Sequence, residues 1–248
     1  MNPPRIFPTL RSRLVLAIAT VALGSTGLIA QELTSTDLKT ATTFVQLLRN
    51  RDAGELARIS EFPLRRRFPL PPVRDAADFV KRFSVLFDDA LIQKITEAPV
   101  KGNWEATVAW RGLMGFEGMV YLNENGGIRT LNAECAAEKA AWTRAVDADR
   151  ARLHPSLRKY ESPLWDARTK AFHIRVDDLG GYSLRYAAWP AATNTLTLPS
   201  LVLTNGYDCA DGDGGNHSFV FANGNYYYVV EVVVMGEADA MPGSLKVF

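Results

Sequence analysis

A chain of 248 residues, 47% hydrophobic and 22% charged, is long enough for one large domain or two ordinary ones, and its make-up is globular rather than disordered or fibrous. The formal charge is +1, but Arg5, Arg11 and Arg13 stand in the first thirty residues with no acid among them, so the remainder holds 25 basic against 27 acidic groups. A body so near neutrality lacks the positive field that phosphate-backbone binding needs, which argues against a nucleic-acid partner.

The first thirty residues have their own layout. Three arginines precede an apolar run, Leu14–Leu23, and a small-residue exit runs from Gly24 to Ala30. This is the pattern of a secretory signal peptide over residues 1–30, cleaved after Ala30 or a nearby glycine. The alternative is an uncleaved anchor, because Leu14 to Ala30 approaches the shortest length that spans a bilayer. No cysteine near the exit offers a lipoprotein anchor, and Arg11-Ser12-Arg13 is not a twin-arginine pair. The expected location is exported, periplasmic or secreted, with no membrane span after signal removal.

Export changes how the cysteines read. Cys135 and Cys209 become a candidate disulfide, closing a long loop worth roughly 4 kcal/mol in the chain-entropy model. Spacing alone does not bring two sulfurs together, so a pair of reduced thiols stays equally open. With His154, His173 and His217 as the only histidines, a Cys/His zinc cluster is improbable, and no cofactor is expected.

In chain order, helical spacing of Leu38, Ala41, Phe44, Val45 and Leu48 predicts a helix to Arg49, with Thr36 or Asp37 as N-cap. Asp52-Ala53-Gly54-Glu55 has capping-box spacing and opens a short helix carrying Leu56 and Ile59, which Pro63 stops. Arg65-Arg66-Arg67 with Pro69, Pro71 and Pro72 reads as an extended basic connector, either an anion or membrane-surface contact or a solvated loop. Asp75 caps a third helix, Ala76–Phe87, with Phe79, Phe83, Leu86 and Phe87 on one face. Strands are then expected at Trp104–Trp110, Phe116–Leu122 and Ile128–Leu131, the last two separated by a turn at Asn123–Gly127.

Three helices followed by antiparallel strands, with Phe44–Asp52, Ile59–Leu64, Asp75–Phe79 and the glycine-rich strand pair Trp110–Tyr121, resemble the NTF2-like (SnoaL-like) superfamily over about residues 34–133. The resemblance implies a cone-shaped α+β fold. It also implies one of two uses, since members are either isomerases and dehydratases or non-enzymatic binding modules. The enzymes place Asp, His or Tyr inside the cone. This stretch has no histidine, and its acids at Asp88, Asp89, Glu97, Glu105 and Glu117 would need burial and a shifted pKa to act. A scaffold or partner-binding role is the expectation.

Glu134 to Leu153 reads as an alanine-rich helix with one thin apolar stripe (Trp142, Ala145, Val146). That stripe suits a linker over residues 134–160 lying across a neighbouring domain, with His154 capping its carbonyl end. Residues 161–248 read as β. Phe172, Ile174 and Val176 alternate with His173, Arg175 and Asp177, giving a core face and a polar, solvated face. Further strands are expected at Tyr182–Ala188, Thr195–Leu198, Leu201–Thr204 and Leu245–Val247. Ser218–Phe221 and Asn225–Val234 pair through Asn223-Gly224. The expected architecture is α+β: three helices on a curved antiparallel sheet, a linker helix, and a C-terminal all-β sandwich or small barrel.

The loop between Thr204 and Ser218 gathers Asp208, Asp211, Asp213 and Asn216 among glycines, oxygen donors of the kind hard cations use, although the EF-hand register is broken. Such composition is first of all turn-forming, so no metal is assigned. His217-Ser218 beside these acids suggests a nucleophile, but neighbours on a strand point to opposite faces and no Gly-x-Ser-x-Gly elbow exists. Tyr226 and Tyr228 share one face and Tyr227 the other; an exposed set could stack on a sugar or peptide. The candidate ligand-binding residues are therefore Asp208, Asp211, Asp213, Asn216, His217, Tyr226 and Tyr228. The expected function is a non-catalytic envelope binding protein whose partner is a protein, peptide or glycan. The alternatives are an isomerase or hydrolase using a pocket near Trp104 and Trp110, and a calcium-stabilised adhesion module.

Overall fold

The computed structural model describes residues 33–107, 111–211, 215–234 and 243–248, so the leader reading and the position of Asp213 lie outside the described residues. Gln31 to Phe248 form one compact unit. Among the described residues it holds five α-helices and two antiparallel sheets, a mixed α+β architecture.

The helices start where side-chain caps allow. In α1 (Ser35–Arg49), Thr34 is the N-cap: its Oγ1 accepts from Asp37 N at 3.1 Å, and the Asp37 carboxylate accepts from Thr34 N at 2.9 Å. The expected cap at Thr36 or Asp37 is therefore corrected, since Asp37 is the N3 partner of the box. Asp52 opens α2 (Ala53–Ile59) and Asp75 opens α3 (Ala76–Leu86), as read from the sequence. Asp88 opens a helix the sequence reading missed, α4 (Asp89–Glu97), whose Ile92 and Ile95 enter the core.

The first sheet is curled and runs β1 (Trp104–Ala106), β2 (Leu113–Gly115), β3 (Val120–Leu122), β4 (Ile128–Leu131) in sequential antiparallel order. The single strand expected over Phe116–Leu122 is interrupted. Phe116, Glu117 and Gly118 take φ of 52°, 56° and 87°, so they form the turn that lets β2 and β3 pair. The sheet's inner side is filled. Trp104 meets Phe44 and Phe116 edge-on, each at 5.7 Å between centroids, and Phe79, Phe83, Phe87, Val120 and Leu122 join the same core. Gly115 makes room for the indole, because a Cβ there would lie 2.6 Å from the ring.

Helix α5 (Ala136–Ala151) follows. His154 does not cap its carbonyl end. Its Nδ1 accepts from Ser156 N at 3.3 Å and opens the 3₁₀ turn Pro155–Leu157 instead.

The second sheet holds β5 (Ser162–Arg168), β6 (Phe172–Asp178), β7 (Leu184–Pro190), β8 (Leu201–Asp211), β9 (Asn216–Asn223), β10 (Tyr226–Val232) and β11 (Gly243–Val247). All seven join in one antiparallel meander, ordered β11 to β5, which is the form taken by the half expected to be an all-β sandwich or small barrel. The strand expected at Thr195–Leu198 is a loop, held by Asn194 Oδ1 accepting from Leu196 N at 3.0 Å. One face of the meander packs its own core around Ile174, Tyr186, Phe221 and Val230.

The opposite face of β6 and β7 is covered by α5, which corrects the expectation of a solvated polar face. Val146, Leu153, Leu157 and Tyr160 pack on Ala187 and Trp189. Beneath them His173, Arg175, Asp177 and Arg185 are all buried. Arg175 forks onto Asp149 (3.0 and 2.6 Å) and reaches Asp177 through Nε (2.7 Å). Arg185 meets Asp177 at 2.6 Å, and His173 Nε2 lies 2.8 Å from Asp166. Burial opposes charge on Arg175, but its bonds to Asp149 and Asp177 outweigh it and raise its pKa. Burial first, and the Asp149 hydrogen bond second, push the Tyr160 phenol upward.

Candidate binding surface

The arginine connector is anchored at its centre, with Arg65 and Arg67 exposed on either side of it. Arg66 is buried, its guanidinium paired with buried Glu138 of α5 and donating to the carbonyls of Leu131 and Ala133. Arg67 stacks 3.7 Å over Trp142, and Arg65 Nη1 donates to Val233 O at 2.9 Å. These three side chains tie the helical half to α5 and to the end of β10.

The acids of the first half do not converge. Glu97, Glu105, Glu117 and Asp89 are exposed. Asp88 is committed: Oδ1 accepts from Leu91 N and Oδ2 from Ala136 N, both at 2.9 Å, and these bonds, led by Leu91, hold its pKa below the usual carboxylate value. An open cleft of about 490 Å³ lies among Thr43, Leu47, Glu55, Arg58, Ile59 and Asn125, apart from Trp104. Its one acid, Glu55, is paired with Arg58 at 2.6 Å.

The glycine- and acid-rich stretch of the second half is mostly strand. β8 runs on to Asp211, so Asp208 and Asp211 are ladder residues paired with Phe219 and Asn216. Among the described residues no group of three or more His, Cys, Asp or Glu could hold a metal. Asn216 Oδ1 accepts from Val234 N at 2.8 Å, pinning the start of β9 to the end of β10. His217 Nδ1 lies 2.8 Å from Gly215 O and therefore carries the proton there; its ring meets Phe219 edge-on at 5.0 Å. Both residues hold the hairpin together.

The candidate disulfide does not form. Cys135 is buried at the start of α5, its thiol donating to Val85 O at 2.9 Å, while Cys209 is exposed on β8, and both are free.

The tyrosines separate as alternation requires. Tyr228 is half-buried against Tyr186 (5.7 Å), whose phenol burial, then Tyr228, push up to about 12. Tyr226 lies exposed beside the two-residue turn Gly224-Asn225, one position on from the Asn223-Gly224 turn read from the sequence. Tyr227, on the other face, joins a surface the sequence reading did not assemble. Tyr207 on β8 pairs with Val220 on β9, which pairs with Val229 on β10, while Tyr227 pairs with Ala222. Tyr207 is 54% and Tyr227 53% exposed, with half-buried Val220 and Val229 between them.

This face exists because of a register change. At Asn205 (φ 61°) the ladder to β7 slips between Leu184 and Arg185, which puts Gly206 inward and Tyr207 outward. Gly206 is required, since a Cβ there would overlap the Phe221 ring. Helix α5 packs on β6 and β7, whereas the outward Tyr207 and Tyr227 of β8 and β10 remain exposed. Two aromatic rings flanking a valine pair on a sheet make a flat apolar platform with hydroxyl tips, suited to stacking and poorly suited to proton transfer.

The fold thus defines a mixed α+β protein whose exposed aromatic feature lies on an antiparallel meander. No family model, curated protein or solved structure matches the chain.

Proposed function

We propose that the protein is exported to the cell envelope and acts there as a binding protein without catalytic activity, recognising a protein, peptide or glycan through the outward face of β8–β10. The observation that carries this reading is the Tyr207–Val220–Val229–Tyr227 platform, which leaves two large rings in water. Rings of this kind contribute most when a partner buries them. The helical half serves as an NTF2-like scaffold in this reading, supported by four helices set on a curled four-stranded sheet with an aromatic-filled interior. Among the described residues no helix is long and apolar enough to cross a membrane.

Two measurements test the proposal. Fractionation with N-terminal sequencing is expected to find a mature chain beginning near Gln31 outside the cytosol; a full-length cytosolic chain sinks the export reading. Immobilised protein is expected to retain a component of an envelope extract, and the Tyr207→Ala/Tyr227→Ala pair to lose at least about 2 kcal/mol of that affinity. Equal retention by the pair would remove the platform from the account.

A further inference from the structure

The inward core of the second sheet is not closed equally on all sides. Its fully buried members lie on β6 to β10. Of the half-buried apolar residues packed against it, Leu164, Trp165 and Ala167 belong to β5 and Leu245 to β11, leaving only Leu201 and Tyr228 elsewhere. The core is therefore open along the seam between the meander's first and last strands. Among the described residues no ladder joins β5 to β11, and the Trp165 ring reaches across to β11: a Cβ on Gly243 would sit 2.9 Å from its Cζ2.

Both are outer strands of the sheet and, among the described residues, turn alternate backbone groups toward this seam. Tyr227 and Phe248 exchange both backbone hydrogen bonds (3.1 and 3.0 Å). By antiparallel alternation, Lys246 and Ser244 also face β10, while Leu245 and Val247 turn N–H and C=O away from it. On β5, the bond from Thr169 N to Phe172 O (2.7 Å) sets the same alternation, so Asp166 and Arg168 turn their backbone groups away from β6.

In a seven-stranded meander the first and last strands run parallel, so they cannot close as an antiparallel pair. One strand placed between them runs antiparallel to both and completes an eight-stranded up-and-down barrel. We infer that this seam is a strand-addition site for an extended segment of a partner polypeptide. Apolar side chains of that segment point inward onto Trp165, Ala167 and Leu245. Polar ones alternate with them, outward beside Asp166, Arg168 and Lys246. A folded second copy does not suit the seam, because each of its strands already has one edge in its own ladder and the site needs a strand free on both edges. The inference is independent of the tyrosine platform.

The test uses a capped synthetic peptide of about eight residues alternating valine and threonine, added to the purified protein and followed by amide hydrogen exchange. With peptide at about ten times its Kd, exchange at Asp166, Arg168, Leu245 and Val247 is expected to slow about tenfold, while Lys246 and Tyr227 stay as they were. A peptide with proline at two central positions, which cannot donate to either edge, is expected to protect none of them. The inference is overturned by unchanged exchange at the four amides or by equal protection from the proline peptide. Protection that rises with protein concentration alone, which marks self-association, overturns it too.

Discussion

Asp88 shows how much one side chain decides in this molecule. It caps α4 through Leu91 and also holds the first amide of α5 at Ala136. Its depressed pKa fixes the sign of a pH effect. The stabilisation is fully present above the unfolded carboxylate pKa and is lost as pH falls through the lower folded value. Asp88→Asn is thus expected to be less stable than the parent at neutral pH, with the difference shrinking as the solution is acidified. Denaturant melts across pH 2–7 measure it, and a constant difference would contradict the assignment. Gly206 is a steric counterpart. Gly206→Ala forces a methyl into the Phe221 ring and is expected to cost about 1–3 kcal/mol in chemical denaturation. Neither role is written in residue type: Asp88 reads as the acidic end of α3, and Gly206 as one glycine of a loop.

Among the elements, α5 departs furthest from its sequence appearance. A thin apolar stripe describes a linker resting lightly on a neighbour. In the fold its polar positions do the joining: Glu138 to Arg66 toward the helical half, and Asp149 to Arg175 toward the meander. A buried ion pair adds little net stability over an apolar substitute, but breaking it strands a charge. Arg175→Met is therefore expected to cost about 3–5 kcal/mol, because Asp149 loses its ion-pair partner and Asp177 is left with Arg185 alone. Arg175→Lys is expected to recover only part of that, since an ammonium cannot fork onto Asp149 while also meeting Asp177. Thermal melts of the two variants decide it; full rescue by lysine would show that charge alone matters. β8 gives a parallel lesson. Leu201–Thr204 was legible as strand, but the continuation to Asp211 was hidden under Gly, Asp and Asn, residues whose turn preference the ladder overrides.

At the scale of the whole molecule, the two halves share α5 and are also tied directly, by Arg65 to the carbonyl of Val233. Gln31 to Phe248 group as one compact unit, so far-UV circular dichroism and tryptophan fluorescence are expected to report coincident unfolding. Arg66→Met leaves Glu138 buried without a partner and is expected to lower the midpoint and separate the two transitions. Coincident curves in that variant would mean that the Arg66 clamp does not couple the halves.

The sequence by itself determined much local structure: the caps at Asp52 and Asp75, the phenylalanine face of α3, the existence of the β9–β10 hairpin (though it turns at Gly224-Asn225) and the alternation of β6. These depend on residues close together in the chain, where propensity and periodicity act directly. Only the tertiary structure decided which polar groups are buried, that seven strands make one sheet, and that Tyr207 and Tyr227 come to lie on the same face. Each of those outcomes turns on a contact between distant segments, such as α5 laid over β6 or a register slip at Asn205, and no spacing along the chain encodes it.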